Sequence, residues 1–346
     1  MKFFMKHIVL FILLLAISSS CVKYVDMEHL RPDPKLVLNS VALTGSPLTA
    51  TVSRTWFYTD NYPNVTIKDA KVSLYVNGQY VEDLSWYMEV SEYNSVGYYQ
   101  SAYIPAEGDK IRLEVSKEGF NDVSAECVLP VKPKLLKLEV AEEESSGSYG
   151  YSYYRIVYRT TFKDRPQEGD CYMVRAMYGN PIYEYDEDMK ENFFTGNYSW
   201  SNTSFDYAYE PVFNNKISVL DKLFGNDWLS GYRGRPFSDE LINGQEYTLK
   251  LATSSYYGGY YPSNPDEDGN EDNVPPVYMK IYLYTLSEPY YQYLAALAEL
   301  DDLSLNNDLV DAGLAEPVRV ISNIVGGTGI LGAASVDTLR VEVPRR

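Results

Sequence analysis

Hydrophobic and polar residues alternate along most of the chain after position 35, and turn residues interrupt the alternation at short intervals. An alternation with period two places one side of an extended segment in a core and the other toward solvent, so it predicts β-strands. Val, Thr, Tyr and Leu, which pleated surfaces favour, are frequent in these segments. The predicted strands are 36–43, 48–57, 71–76, 98–104, 110–116, 123–129, 135–140, 154–162, 171–177, 247–253, 277–286, 318–324 and 338–343.

The spacing of the strands predicts an all-β protein with two parts. Asn77-Gly78 predicts a two-residue hairpin, because both central positions of that turn need positive φ. Six or seven short strands without a helical period predict an immunoglobulin-like β-sandwich over 35–131. A larger β-sandwich domain is predicted over 132–346. Within it, 178–244 alternates poorly and predicts long loops with short strands.

One segment, 288–301, has a helical period. Ser287 suits the N-cap and Pro289 the first turn. The apolar positions predict a stripe that packs on the sheet, and a helix that docks on a partner is the alternative. The stripe consists of Tyr290, Leu294, Leu297 and Leu300.

The first residues resemble an export signal. Lys2 and Lys6 precede an unbroken apolar run at 8–17, which is too short for a bilayer that needs roughly 20 residues. Three serines and Cys21 follow, as in the cleavage site of a lipoprotein. The sequence therefore predicts a lipoprotein signal peptide over 1–20 and acylation of Cys21, which provides a lipid anchor in the membrane. Ordinary secretion with cleavage near residue 20 is the alternative.

The formal net charge is −18, and removal of Lys2 and Lys6 with the signal peptide makes it −20. A body this acidic is repelled by an anionic membrane and by phosphate, so nucleic acid is not an expected partner. We expect residues 21–34, which are polar and contain prolines, to form a tether between the lipid and the body.

Histidine and cysteine chemistry is nearly excluded. His29 is the only histidine after the signal peptide, so two-histidine metal sites are impossible and any histidine-based catalysis would depend on it. Cys127 and Cys171 are interpreted as buried thiols, with an interdomain disulfide as the alternative. Paired carboxylates remain, but no pair stands out among 48 acidic residues. The expectation is that the protein is not an enzyme and has no resident cofactor.

Three glycines near the C-terminus, at 327, 329 and 332, match the spacing of the dinucleotide-binding fingerprint. That fingerprint must open a helix after a strand, with an acidic residue about 20 positions further on. The chain ends at Arg346, and 338–343 is predicted to be a strand. Tight turns between terminal strands are the better interpretation.

The acidic stretch 264–272 (NPDEDGNED) has oxygen side chains at alternate positions, followed by a glycine that permits a sharp turn. Such oxygens can converge on Ca²⁺. Pro275 stands where a calcium loop would place a bidentate Glu, so a solvated hairpin tip is the main interpretation and a weak structural calcium site the alternative. Its ligands would be Asn264, Asp266, Asp268 and Asp272.

Tyrosine is unusually abundant, with 34 residues, and two clusters fall in Gly- and Ser-containing stretches. Tyrosine offers a flat apolar ring and a hydroxyl group at low entropic cost, so such loops suit recognition of a glycan or peptide. Strand propensity is the structural alternative. The candidate ligand-binding residues are Tyr151, Tyr153, Tyr256, Tyr257, Tyr260 and Tyr261.

Four stretches resemble motifs of one family of bacterial lipoproteins, the domain of unknown function 4249 family. They are 34–39 (PKLVLN), 105–113 (PAEGDKIRL) with 129–130, 237–247 (FSDELINGQEY), and 316–317 with 322–324 (SNI) and 327–332 (GTGILG). The resemblance implies an exported outer-membrane lipoprotein often encoded beside a TonB-dependent receptor. It implies no activity and no binding residues.

Together these features predict a non-enzymatic, lipid-anchored accessory or binding lipoprotein. The family resemblance implies that it lies in the outer membrane and assists a TonB-dependent receptor in nutrient capture. Both the surface-exposed and the periplasmic location stay open. The alternative is a surface adhesin or structural lipoprotein without a small ligand.

Overall fold

The computed structural model describes residues 28–61, 63–90, 95–146, 152–166, 169–186, 190–203, 205, 210–213, 235–253, 275–301 and 318–344. They form sixteen strands and one α-helix, α1, over Glu288–Asp301. The strands are β1 Leu36–Leu43, β2 Thr49–Arg54, β3 Lys71–Val76, β4 Gln79–Asp83, β5 Ser85–Val90, β6 Ser95–Gln100, β7 Lys110–Ser116, β8 Val123–Val128, β9 Lys134–Ser146, β10 Ser152–Lys163, β11 Cys171–Asp186, β12 Glu191–Thr203, β13 Arg235–Ser238, β14 Glu246–Thr253, β15 Tyr278–Leu286 and β16 Thr328–Glu342. The predicted all-β sandwich architecture with a packed helix is confirmed.

The described residues fall into two units. The small unit combines the residues up to Pro34 with Trp56–Pro63, and the large unit contains Lys35–Thr55 and Asn64–Arg346. A short 3-10 helix, Glu28–Leu30, lies in the small unit. All sixteen strands and helix α1 belong to the large unit.

A single large sheet runs through the large unit in the order β12-β11-β15-β16-β1-β2-β6-β5, with β13 paired to β11. Its β1–β2 part shares one hydrophobic core with the four-stranded sheet β4-β3-β7-β8, as a sandwich does. Its β11–β15 part shares a second core with the three-stranded sheet β14-β10-β9. The proposed boundary between 131 and 132 stays a prediction, and the large sheet takes strands from both sides of it.

The Asn77-Gly78 hairpin is confirmed. Asn77 has φ of 52° and Gly78 of 82°, and the two residues connect β3 to β4. Helix α1 has the predicted bounds. The side chain of Ser287 accepts a hydrogen bond from the Ala333 N–H at 3.0 Å, and its own N–H donates to the Ala333 carbonyl at 2.8 Å. Ser287 therefore fixes the start of the helix to β16.

Three sequence predictions are wrong. Residues 318–324 form no strand. Asn323 instead contacts β16 through its side chain, which donates to the Leu331 carbonyl and accepts from the Leu331 N–H, both at 2.9 Å. The glycine motif does not form turns between strands, since Thr328 begins β16, which pairs in parallel with β1. Part of 178–244 forms the long hairpin of β11 and β12, whose glycines and part-exposed aromatic residues obscure the alternation.

Asp337 connects the end of the first sandwich to the second. Its carboxylate accepts hydrogen bonds from the Leu135 and Thr338 N–H groups at 3.0 Å and pairs with Lys132. Burial alone would raise the pKa of this carboxyl group, but Lys132 and the two N–H groups outweigh burial and lower it.

Replacing Asp337 tests this junction. We expect Asp337→Ala to reduce the free energy of unfolding by about 1–3 kcal/mol at neutral pH. Because the folded-state pKa is lowered, the contribution is present above the unfolded-state pKa and is lost as the pH falls below about 4. Denaturant titrations at neutral pH and near pH 3 measure it, with exposed Glu118→Ala as the control. An equal loss at both pH values would contradict the assignment.

Candidate binding face

The side of the large sheet that faces away from the second core carries aromatic and cationic side chains. In β15, Met279, Ile281 and Leu283 are completely buried in that core. Because side chains alternate along a strand, Tyr278, Lys280 and Tyr282 point to the opposite side, where they are part-exposed. We call this side the aromatic face. It consists of Tyr183, Phe194, Tyr198, Trp200, Tyr278, Tyr282, Arg175, Lys280 and Arg340.

Strand register assembles the face from four strands. Gly179 of β11 pairs with Trp200 on one side and with Tyr278 on the other. In the next row, Lys280 pairs with Arg340 of β16. Residues that are distant in sequence thus become direct neighbours across the sheet.

The rings form a continuous chain of contacts. Tyr198 lies edge-on to Tyr278, with centroids 5.2 Å apart, and edge-on to Phe194 at 5.5 Å. Phe194 continues to Tyr183 at 6.2 Å. Burial among these rings raises the pKa of the Tyr198 hydroxyl, so it stays protonated and can donate a hydrogen bond.

Cations lie directly against this aromatic surface. Lys280 Nζ is 4.1 Å from the centroid of the Trp200 ring, and the Arg340 guanidinium is 4.3 Å from that of Tyr278. Arg175 shares this side, where its guanidinium donates to the Asn202 amide oxygen at 3.1 Å. Glu342, which pairs with Tyr278, is the acidic residue among the described residues of the rows that contain Tyr278 and Lys280. The face is therefore locally cationic on a chain whose net charge is −18.

Gly179 makes room for the indole. A Cβ atom at this position would lie 2.8 Å from Trp200 ring atoms, closer than real contacts allow. The missing side chain lets Trp200 lie against the β11 backbone, which fixes the ring position by packing.

Helix α1 covers the other end of the same side of the sheet. Its Tyr290, Tyr291 and Leu294 pack against a small core, and Leu300 is 39% exposed. The core residues under the helix are Cys171, Met173, Leu286 and Ala334. The prediction that the apolar stripe packs on the sheet is therefore confirmed for Tyr290 and Leu294, the first half of the stripe.

A second cluster, the aspartate knot, consists of Asp164, Asp170 and Asp239, which are all buried. Their carboxylates offer oxygens within 4.8 Å of one another, an arrangement that could hold a metal ion. Protein donors already bind these oxygens. Tyr172 and the Gly244 N–H donate to Asp164 at 2.5 and 2.6 Å, and Arg165 pairs with Asp170.

Asp239 completes the knot. It accepts hydrogen bonds from the N–H groups of Asp170 at 2.9 Å and Gly169 at 3.3 Å. Burial raises the pKa of Asp164, while its hydrogen bonds to Tyr172 and Gly244 oppose the shift. Every carboxylate of the aspartate knot has a protein donor. These hydrogen bonds hold the loop before β11 against residues 239–244 before β14, so the aspartate knot has a structural role.

Most residues predicted from sequence to form sites lie outside the described residues. They are Cys21, Tyr151, Tyr256, Tyr257, Tyr260, Tyr261, Asn264, Asp266, Asp268 and Asp272, and these assignments stay predictions. Tyr153 is in β10, opposite Ser145. Cys127 and Cys171 are free and buried, which confirms buried thiols over a disulfide. Burial raises the pKa of each thiol to about 12.

The aromatic face was missed from sequence, although a signal for it exists. In 278–284 (YMKIYLY), every second residue is aromatic or cationic while the residues between are aliphatic. The pattern predicts a strand whose outer side is aromatic. The proximity of Trp200 and Arg340 to this strand depends on the register of three strand pairs, which local sequence does not contain.

The fold and this face define a class: an all-β sandwich protein with a part-exposed aromatic and cationic sheet surface. The model of the family described as domain of unknown function, DUF4249, matches residues 23–340, and the chain belongs to this family. Searches of curated proteins and of solved structures found no significant match. Among the described residues, no helix combines the length and apolar character needed to cross a bilayer.

Proposed function

We propose that this protein is a non-enzymatic binding lipoprotein of the outer membrane, anchored through Cys21, which assists a TonB-dependent receptor in capturing a nutrient glycan. The observation that supports binding is the aromatic face. In the part of the chain that the structure describes, its rings form one connected surface rather than a closed pocket, so an extended ligand can lie along it. The anchor and the receptor partnership rest on the signal-like N-terminus and on the family resemblance.

Charge complementarity favours an acidic ligand. Lys280 and Arg340 lie against the rings, so a sugar that contacts the face would place carboxylate or sulfate groups near two cations. Elsewhere the acidic chain would repel such a ligand. Binding should therefore weaken as salt screens the attraction.

The test compares Trp200→Ala with Tyr87→Ala, which removes a half-exposed ring from β5. We expect an array of acidic and neutral glycans to identify an acidic ligand, and Trp200→Ala to weaken its binding at least about tenfold, because large aromatic residues dominate contact energies. Tyr87→Ala should bind like the wild type. Equal effects of the two variants would contradict the assignment of this face.

The partnership is tested separately, by affinity capture of the natively acylated protein from envelope extracts. A co-purifying TonB-dependent receptor barrel would support the proposal. Silence on glycan and acidic-peptide arrays together with no captured receptor would favour the adhesin or structural alternative. An unmodified thiol at Cys21 in the intact mass of native protein would contradict the lipid anchor.

A further inference from the structure

The small unit is held together by one arginine. Arg31 pairs with Glu28 at 2.8 Å and with Asp60 at 2.8 Å, and its guanidinium lies 4.9 Å from the centroid of the Phe57 ring. Thr59 also donates a hydrogen bond to Glu28 at 2.9 Å. The pKa of Glu28 is lowered by its hydrogen bond to Arg31, so the pair remains charged at neutral pH. Part of the predicted tether is thus bound to residues 56–63 within the small unit.

This binding limits how far the small unit can lie from Cys21. Glu28 follows Cys21 by seven positions. Even a fully extended chain of that length spans at most about 25 Å. An acylated Cys21 would therefore keep the small unit close to the lipid headgroups, whatever path the intervening residues take.

Apolar and aromatic side chains are exposed on this unit. Leu30 is 55% exposed, Trp56 46% and Tyr58 65%. Trp and Tyr combine an apolar ring with a polar group, which favours them at the boundary between lipid and water. Arg31 balances part of the negative charge of Glu28 and Asp60, which lowers the electrostatic cost of approaching a membrane surface.

We propose that Leu30, Trp56 and Tyr58 form a second membrane contact, which sits at headgroup level beside the acyl chains of Cys21. This inference rests on the lipid anchor of the proposed function. The occupant of the surface is a zwitterionic phospholipid interface, because the net charge of −20 that remains after removal of Lys2 and Lys6 disfavours an anionic one.

Tryptophan quenching by brominated lipid tests the contact, since quenching requires bromine near the indole. The natively acylated full chain is placed in vesicles of phosphatidylethanolamine and brominated phosphatidylcholine. The chain has four tryptophans, so Trp56→Phe is compared with Trp200→Phe and the wild type. We expect most of the quenching to be lost in Trp56→Phe alone. Both substitutions keep an aromatic ring, and thermal melts verify folding.

Equal quenching in all three proteins would overturn the membrane contact. Flotation of the vesicles separates this failure from that of the anchor. If the protein floats with the vesicles but Trp56 is not quenched, the anchor stands and only the contact is refuted. If the wild type does not float, both proposals are refuted.

Discussion

Gly329→Ala is expected to destabilise the protein by at least about 3 kcal/mol, a large fraction of the stability of an ordinary domain. Gly329 has φ of +111°, which L side chains rarely adopt, and a Cβ atom there would lie 2.1 Å from the Leu38 carbonyl oxygen. That oxygen belongs to β1, the direct partner of β16. Neither backbone can move without breaking the pairing that makes the large sheet continuous.

Gly45→Ala is the matched control, because Gly45 also has a positive φ of +78° but nothing lies within 4 Å of the added Cβ. It should lose only about 1–2 kcal/mol, the strain of a left-handed backbone. Denaturant titrations of both variants separate backbone strain from steric exclusion. Equal stability of the two would show that the close approach of β1 and β16 is not required.

The same glycine shows why a sequence motif can mislead. The spacing at 327, 329 and 332 equals that of a dinucleotide fingerprint, yet each glycine has a packing cause here. Cβ atoms would meet the Leu36 carbonyl oxygen at Gly327, the Leu38 carbonyl oxygen at Gly329 and the Tyr290 ring at Gly332. Gly327 and Gly329 allow the close approach of β1 and β16, and Gly332 leaves space for Tyr290 of helix α1.

Local patterns predicted local elements well. The bounds of β1, β3, β7 and helix α1 agree with the sequence, because alternation or helical spacing within one segment determines which side is buried. The pairing of β1 with β16 joins residues almost 300 positions apart and leaves no local signal. The aromatic face has the same origin, since only strand register brings Lys280 to Trp200.

The segment 237–247 is one of the stretches that carry the family resemblance, and structural contacts explain its motif residues as well. Asp239 accepts hydrogen bonds from two N–H groups of the loop before β11, and the Gly244 N–H, at a φ of +70°, donates to Asp164. The Tyr247 hydroxyl donates to buried Glu210 at 2.9 Å. The residues of this motif therefore connect loops of the fold through hydrogen bonds. They lie away from the aromatic face, as expected for a structural role.

Asp239→Ala is expected to reduce the free energy of unfolding by about 2–5 kcal/mol. The side chain is 2% exposed, and its removal leaves the Gly169 and Asp170 N–H groups without their acceptor, at about 1–3 kcal/mol each. Removal of a negative charge beside Asp164 offsets part of this loss, because Asp239 contributes to the raised pKa of Asp164. The two lost hydrogen bonds are the larger effect.

Asp239→Asn and Glu240→Ala turn this expectation into a graded test. Asn keeps one acceptor oxygen, so its loss of stability should lie between those of Asp239→Ala and the wild type. Glu240 is exposed and adjacent, and its replacement should change stability by no more than about 0.5 kcal/mol. If the knot instead required a bound cation, added Ca²⁺ would raise the melting temperature of the wild type and leave Asp239→Ala unchanged. With its donors supplied by the protein, the wild type should melt at the same temperature with Ca²⁺ or chelator, because the hydrogen bonds and the Arg165–Asp170 ion pair compensate the buried charges.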